Sequence, residues 1–360
     1  MINSGAGFII ALLLFCTSTA NAALYQQIVR QPRMMAMGGA GVALADDEYA
    51  LFQNPAGLAG SKERRFKILG LGAEISMDAL QTFGSTFSAL GKFKTSDLNT
   101  LMGKDIAVRL GVVPMIKLNG FAISYIADFQ GSINQFNQAN PYFDVGFMTT
   151  HGVQAGIGMT LPQSRNARSE TRVGAAAKML WRKGGFYSVS TAGFLQATNQ
   201  GKAYIDNLIG GFGVGLGLDL GVQQIEHIDK TTQVSFGASI TDVGDTKFSD
   251  PHASPIAMSA NLGTAYKKDF NFLKLALAAD LKHLNERGDF LNKTHLGAEV
   301  GIPLFDFYLG VNQLNLTYGV AFDIWVLRVS LLSFAEELGI FNHQNTSRKT
   351  MLQVDLNLPI

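Results

Sequence analysis

The chain is poor in charge and almost free of cysteine. Its 360 residues hold 29 Lys+Arg against 28 Asp+Glu, a formal net charge of +1, and charged residues make up 16%. Soluble domains usually carry about 25%. With no basic excess to neutralise phosphates, general nucleic-acid binding is excluded. The one cysteine, Cys16, falls inside an apolar run, Phe8 to Cys16, that leads into Ala20-Asn21-Ala22. That pattern reads as a secretory signal, residues 1–22, cleaved after Ala22. Phe15 is too bulky for the residue before an acylated cysteine, so a lipoprotein signal fits less well. The mature chain then contains no thiol, which excludes disulfide scaffolds and thiolate metal or catalytic sites. Beyond residue 22 no apolar stretch approaches the roughly 18 residues of a membrane helix. Hydrophobic residues nevertheless reach 47%, aromatics 10% and glycines 39 in number. Intrinsic disorder, which needs low hydrophobicity and high net charge, is excluded as well.

The apolar residues are spread at every second position. Phe212, Val214, Leu216, Leu218, Leu220 and Val222 alternate with Gly213, Gly215, Gly217, Asp219, Gly221 and Gln223. The same period recurs in Ile106–Val112, Val234–Ile240, Leu273–Leu281 and Leu352–Leu358. Period two places one chemistry on each sheet face. A soluble sandwich produces the same alternation. The length and number of the runs favour strands of about 9–11 residues crossing a bilayer. Fourteen are expected, at 65–76, 105–116, 120–128, 145–161, 172–182, 210–225, 232–242, 256–268, 272–284, 294–303, 306–312, 316–322, 325–334 and 349–358. Connections alternate between short and long almost throughout, as short periplasmic turns and longer external loops require. The expected class is all-β: a membrane-spanning antiparallel barrel in the bacterial outer membrane, residues 65–360, in contact with its lipid. Asn119-Gly120 marks a tight hairpin, and Pro114 a bulge. Trp181 and Trp325 are candidates for an interfacial aromatic girdle.

Three segments depart from the pattern. Leu80, Phe83, Phe87 and Leu90 recur at helical spacing within 78–103, either packing a loop helix on the barrel rim or offering a greasy capture site. Residues 184–209 look partly helical. Residues 23–64 are small, mixed and glycine-rich. There Gly38, Gly39 and Gly41 permit unusual backbone, Asp46 and Asp47 are placed to cap a short helix, and Asn54-Pro55-Ala56 suits a turn. A segment of this kind is suited to fold back into the lumen as a plug.

The ordered run Gly38-Gly39-Ala40-Gly41-Val42-Ala43-Leu44-Ala45-Asp46-Asp47, then Asn54-Pro55-Ala56-Gly57-Leu58, resembles the amino-terminal hatch of FadL-type outer-membrane transporters. It is similar also to PorV-like barrels of secretion systems and TraF-like conjugation proteins. Gly310-Val311-Asn312-Gln313 and Ala335-Glu336-Glu337-Leu338-Gly339 resemble the latter branch. The likeness implies a fourteen-stranded barrel closed by a hatch and passing hydrophobic molecules, such as long-chain fatty acids or hydrocarbons. Asn54, Pro55 and Ala56 carry over as hatch residues; no ligand-contacting residue does. The chain is shorter than typical fatty acid transporters and ends in Ile360 rather than an aromatic residue.

Enzyme chemistry finds no support. Six histidines, at 151, 227, 252, 283, 295 and 343, show no metal-type spacing, and no nucleophile elbow or P-loop is present. Arg109, Asp219, Asp280, Lys282, Arg328 and Asp355 fall on the inward phase of their strands, as channel lining or as a paired barrel interior. Two readings follow. One is passive uptake of hydrophobic small molecules without a cofactor, the gradient supplying direction. The other is a PorV-like or TraF-like scaffold for a protein partner.

Overall fold

A computed structural model describes residues 27–60, 64–82, 103–135, 142–162, 168–190, 193, 202–338 and 345–359. Its strands are β1 (Arg65–Ser76), β2 (Asp105–Val112), β3 (Met115–Leu118), β4 (Phe121–Gln135), β5 (Tyr142–Thr160), β6 (Ser169–Ser190), β7 (Gly213–His227) and β8 (Thr232–Thr241). They continue with β9 (Ser259–Phe270), β10 (Leu273–Leu281), β11 (Thr294–Ile302), β12 (Phe305–Asn312), β13 (Asn315–Ile324), β14 (Leu327–Glu337) and β15 (Thr346–Pro359). Neighbours in sequence pair antiparallel, and β15 returns to β1 from Arg65↔Pro359 to Ser76↔Lys349, closing the ring.

β2 and β3 share one place between β1 and β4, so the ring has fourteen strand positions. Pro114, which has no N–H to give a ladder, is the cause of the division. The break does not open the wall. Val113 N donates to Gly70 O (2.9 Å) and Tyr125 N to Pro114 O (3.1 Å). β4 then pairs with β5 from Phe121↔Ile157 to Gln135↔Phe143. A lateral gap beside this strand is therefore absent.

The alternation in sequence becomes inside and outside. Leu216, Leu218 and Leu220 are exposed on the outer face of β7, while Asp219 between them is fully buried. Exposed apolar residues recur in the same phase, including Leu110, Ile157, Phe236, Leu277, Leu309, Tyr318 and Leu352. An outer face this apolar matches a lipid-facing belt. Among the described residues no helix is long and apolar enough to cross a membrane.

Among the described residues the α-helices are α1 (Pro32–Ala36), α2 (Ala50–Gln53), α3 (Met77–Gln81) and α4 (Lys202–Ile209). Within 184–209, expected to be partly helical, residues 184–190 continue β6 and Lys202–Ile209 form α4. The connection 242–258 is not a free loop. Val243 N and Ser249 N donate to Leu218 O and Val214 O, extending the sheet along β7 where β8 has ended.

Candidate functional site

Residues 27–60 lie inside the ring, against the inward faces of the wall. Pro32 starts α1, its missing N–H costing nothing there. The helix ends at Met37, and Gly38 and Gly39 take φ of 69° and 85°. At Gly38 a Cβ would come within 2.4 Å of Leu296 O and 2.5 Å of Val311 O, so the segment touches β11 and β12 backbone to backbone. The chain is locked again at Asn54. Its Oδ1 accepts from Ala56 N (3.3 Å), while Nδ2 donates to Val42 O (2.9 Å) and to Val222 O on β7 (3.1 Å). One side chain thus ties both halves of the segment to the wall, and Pro55 opens a three-ten turn, Pro55–Ala59.

Asp46 and Asp47 do not cap a helix by side chain. α2 has Tyr49 at its N-cap with no side-chain bond. Asp47 Oδ1 accepts from Tyr49 N (2.9 Å), supporting the turn before α2. Asp46 is drawn away by charge, to Arg33 (2.8 Å) and Lys267.

Two kinds of contact hold the segment. From Met35 to Leu44 it packs on Ala265, Ala276, Ala278, Tyr308, Ala321, Leu332, Phe334 and Met351 in one apolar cluster. Small and large side chains from both the segment and the wall interleave in it. From Arg30 to Glu48 ion pairs reach the wall. Arg30 meets Glu74 (2.9 Å) and Glu336 (2.8 Å), Arg33 meets Glu299 (2.6 Å), and Glu48 meets the buried Lys67 (2.9 Å). Lys67 also lies 4.0 Å from the Tyr49 ring centre and 3.3 Å from Asp355. Burial, with Glu48 and Asp46 alongside, pushes the Asp47 carboxyl up to about 6. Lys67 and Arg65 overcome the burial of Glu48 and bring it down to about 2. Lys267 and Arg33 likewise outweigh burial at Asp46 and hold it well below its ordinary value.

All six residues expected to line the lumen face inward, and five of them have side-chain partners. Arg109 binds Asp128 (2.6 Å) and donates to the carbonyls of Gln27 (2.8 Å) and Ile28 (2.7 Å). Asp280 Oδ2 accepts from Gly41 N (2.6 Å) and Val42 N (2.9 Å). Asp355 joins Lys67 and Tyr49 OH (3.5 Å). Asp219 accepts from Lys178 (2.9 Å), Asp242 N (2.7 Å) and Gln154 (2.7 Å), and Gln154 also donates to Leu51 O (3.0 Å). Arg328 is held by Asp306 (2.7 Å) and Asp323 (2.5 Å). Lys282 is buried; its backbone N donates to Lys293 O (2.9 Å), and its ammonium has no hydrogen bond or ion pair among the described residues. Its surroundings include Asp280 and His295, and His295 Nδ1 donates to Gly38 O (2.9 Å).

Of the proposed capture residues, Leu80 is half exposed on α3, whose buried residue is Ala79, packed with Ile106 and Phe143. Phe83, Phe87 and Leu90 fall outside the described residues. Glu336 and Glu337 are engaged internally, Glu336 with Arg30 and Lys349, Glu337 with Asn345 N and Thr346. Sequence reasoning missed Gln154, Gln223, Ser235 and His295. The first three bind Leu51 O or Ala43 O. Their only signal was a polar residue on the inward phase, which most strands share.

Residues of the segment help line two cavities. On the short-turn side a cavity of about 320 Å³ is lined by Arg33, Asp46, Lys230, Lys267, Lys274 and Glu299. On the long-loop side a cavity of about 60 Å³ is lined by Arg30, Glu74, Arg109, Gln130, Phe147 and Met148. Among the described residues no three His, Cys, Asp or Glu side chains are grouped to hold a metal ion.

No protein-family model and no curated protein matches the chain. Solved structures do. The CymD monoaromatic hydrocarbon channel is similar at 12% identity and TM-score 0.49, over 94% of this chain and 99% of its own. The Ralstonia pickettii toluene transporter TbuX is similar at 12% identity and TM-score 0.48, over 94% and 100%. A Pseudomonas aeruginosa FadL homologue gives 9% identity and TM-score 0.29, over 91% and 98%. Values this low carry nothing about ligand or mechanism. The solved structures to which the chain is similar thus bear the titles of a hydrocarbon channel, a toluene transporter and a FadL homologue.

Proposed function

We propose that the protein is an outer-membrane barrel for passive uptake of hydrophobic small molecules, of long-chain fatty acid or hydrocarbon type, with residues 27–60 as its gate. One observation supports this reading: residues of the same segment line both cavities, Arg30 one and Arg33 the other. A solute passing through the ring has to displace it. The segment is held by reversible contacts, ion pairs and backbone hydrogen bonds, and is a distinct insert rather than a strand of the wall. With short turns towards the periplasm, a solute enters among the long loops, the segment swings on Gly38–Pro55, and the solute leaves beside Lys267 and Lys274. The concentration gradient drives each step, and no cofactor takes part. The alternative of a scaffold for protein partners rested on Glu336–Gly339, whose two glutamates have internal partners.

The mature chain offers a clean test because it has no cysteine of its own. A Cβ at Gly319 would lie 2.9 Å from the Ala36 side chain, so the pair Ala36→Cys and Gly319→Cys can be bridged with small adjustment. In proteoliposomes, oxidation of this pair should abolish uptake of a fluorescent long-chain fatty acid, and reductant should restore it. Equal uptake by the oxidised and reduced forms, with the bridge verified by mass spectrometry, would exclude the gate.

A further inference from the structure

The lumenal segment has a second element beside it. The connection 242–258 leaves β8 on the long-loop side, runs along β7 and reaches β6 before returning to β9. At its far end Ser254 N donates to Gly184 O (3.1 Å), and Arg182, buried on the inner face of β6, donates to Ser254 O (2.9 Å). The Arg182 guanidinium also lies 4.9 Å from the centre of the Phe248 ring. This strap brings Phe248 and Ile256 into one apolar cluster with Val29 and Tyr49 of the segment and Leu180 of the wall.

The strap is built to move as a unit. Thr246 and Ile256 exchange backbone hydrogen bonds (2.9 and 3.0 Å), and Asp245 Oδ1 accepts from Met258 N (2.8 Å). Residues 246–256 therefore form a closed hairpin. At its root Asp242, Gly244 and Asp245 take φ of 53°, 76° and 66°. A Cβ at Gly244 would meet nothing within 4 Å, so the turn has room to change direction, and hinge motion concentrates in a few residues of this kind.

Root and segment share one buried carboxylate. Asp219, wholly buried on β7, accepts from Asp242 N at the root (2.7 Å) and from Gln154 Nε2 (2.7 Å). The same Gln154 Nε2 donates to Leu51 O in α2 of the segment (3.0 Å). Lys178 closes the network, 2.9 Å from both Asp219 and Asp242. Lifting the strap takes Asp242 N from Asp219 and the Asp242 carboxylate from Lys178. A buried carboxylate short of donors gathers those that remain. Lys178 and Gln154 then close on Asp219, and Gln154 lets go of Leu51 O. Such coupling is reciprocal, so freeing Leu51 also loosens the root.

We propose that residues 242–258 are an outer gate and that Asp219, through Gln154, ties its opening to that of the segment. The proposal rests on the segment being the inner gate. It makes uptake a concerted event, in which entry past the strap unlatches the segment.

Gly185→Cys with Ser254→Cys pins the strap, because a Cβ at Gly185 would lie 3.3 Å from the Ser254 Cβ, near the separation found in a disulfide. With the bridge verified by mass spectrometry, oxidation should stop uptake of a fluorescent long-chain fatty acid by proteoliposomes. It should also slow hydrogen exchange of the amides of residues 51–54 about tenfold, and reductant should restore both. Gln154→Leu should keep the block on uptake and erase the effect on exchange. Asp219→Asn gives the same readout should Gln154→Leu fail to fold, judged by gel mobility with and without heating. Uptake that continues through the bridged strap, while the bridge between positions 36 and 319 still stops it, overturns the outer gate and spares the inner one. Uptake that neither bridge stops removes the inner gate and this proposal with it. Unchanged exchange in the bridged barrel overturns the coupling, and a slowing that survives the substitution overturns the route through Asp219.

Discussion

The lumenal segment is built in two ways. Around Met35–Leu44 it is held by shape: Gly38 touches the backbone of β11 and β12, and Ala36 and Met37 are wholly buried among small wall residues. Around Asp46–Tyr49 it is held by charge, with Asp46, Asp47 and Glu48 set among Arg33, Lys67 and Lys267. Close packing fails abruptly when a few atoms are added. Ion pairs can exchange partners or take water, and they respond to pH and salt. The difference makes the first part the close-fitted side of the segment and the second the side that responds to pH and salt.

The sharpest way to break this comparison is Gly38→Val. The positive φ and the contact with two carbonyls leave no space for a branched side chain, and the cost should exceed about 3 kcal/mol, enough to undock the segment. Trypsin should then cut at Arg30 and Arg33 in the native barrel, and ion conductance across planar bilayers should rise. Asp280→Ala comes next. It strands Gly41 N and Val42 N, two charge-assisted bonds together worth about 2–4 kcal/mol, and should give the same protease sensitivity to a lesser degree.

Glu48→Gln acts on the charged part. Lys67 keeps Asp355, so the loss should be smaller than for a fully broken buried pair, about 1–2 kcal/mol. The effect should appear as easier opening in conductance traces, with the barrel's heat-resistant gel mobility unchanged.

The mildest effect is on pH, and it separates the three acids. Asp47 has its docked value raised to about 6. Its contribution is therefore full below the ordinary carboxylate value near 4 and is lost as pH rises through about 6. Glu48, lowered to about 2, and Asp46, lowered further, work in the opposite sense. Their contribution is present above the ordinary value and is lost as pH falls towards about 2. Protection of the segment from trypsin-like cleavage or hydrogen exchange should improve from neutral pH to about 5, then decline under acid. Asp47→Asn should flatten the first limb and leave the second. A single monotonic response would unseat the assignment.

Much of the wall was legible in the sequence, and the misses share a cause. β1 spans 65–76 as expected, and β8, β11 and β13 shift by one or two residues. β4 was expected to stop at 128 but continues to Gln135, and β6 was expected over 172–182 but runs from Ser169 to Ser190. In Phe129–Gln135 and Lys183–Ser190 the outer face need not be apolar, because a strand standing above the bilayer meets water on that side. Alternation is then lost while the ladder continues. The inward residues were legible as inward, but not by what they hold. Arg109, Asp280 and Asp355 read as channel lining or as a paired barrel interior, and each binds the segment.

The sequence by itself determined the class of protein: a chain with a single cysteine, period-two strands in even number, an apolar outer face and a glycine-rich segment ahead of the first strand. These follow from local rules, since alternation and turn chemistry act between near neighbours in the chain. Only the tertiary structure decided that Asp280 receives Gly41 and Val42, that Asn54 spans Val42 and Val222, and that the wall is low from β11 to β13. Those contacts join residues up to hundreds of positions apart. They exist because ring closure turns fourteen inward faces onto one segment, a geometry that no single strand encodes.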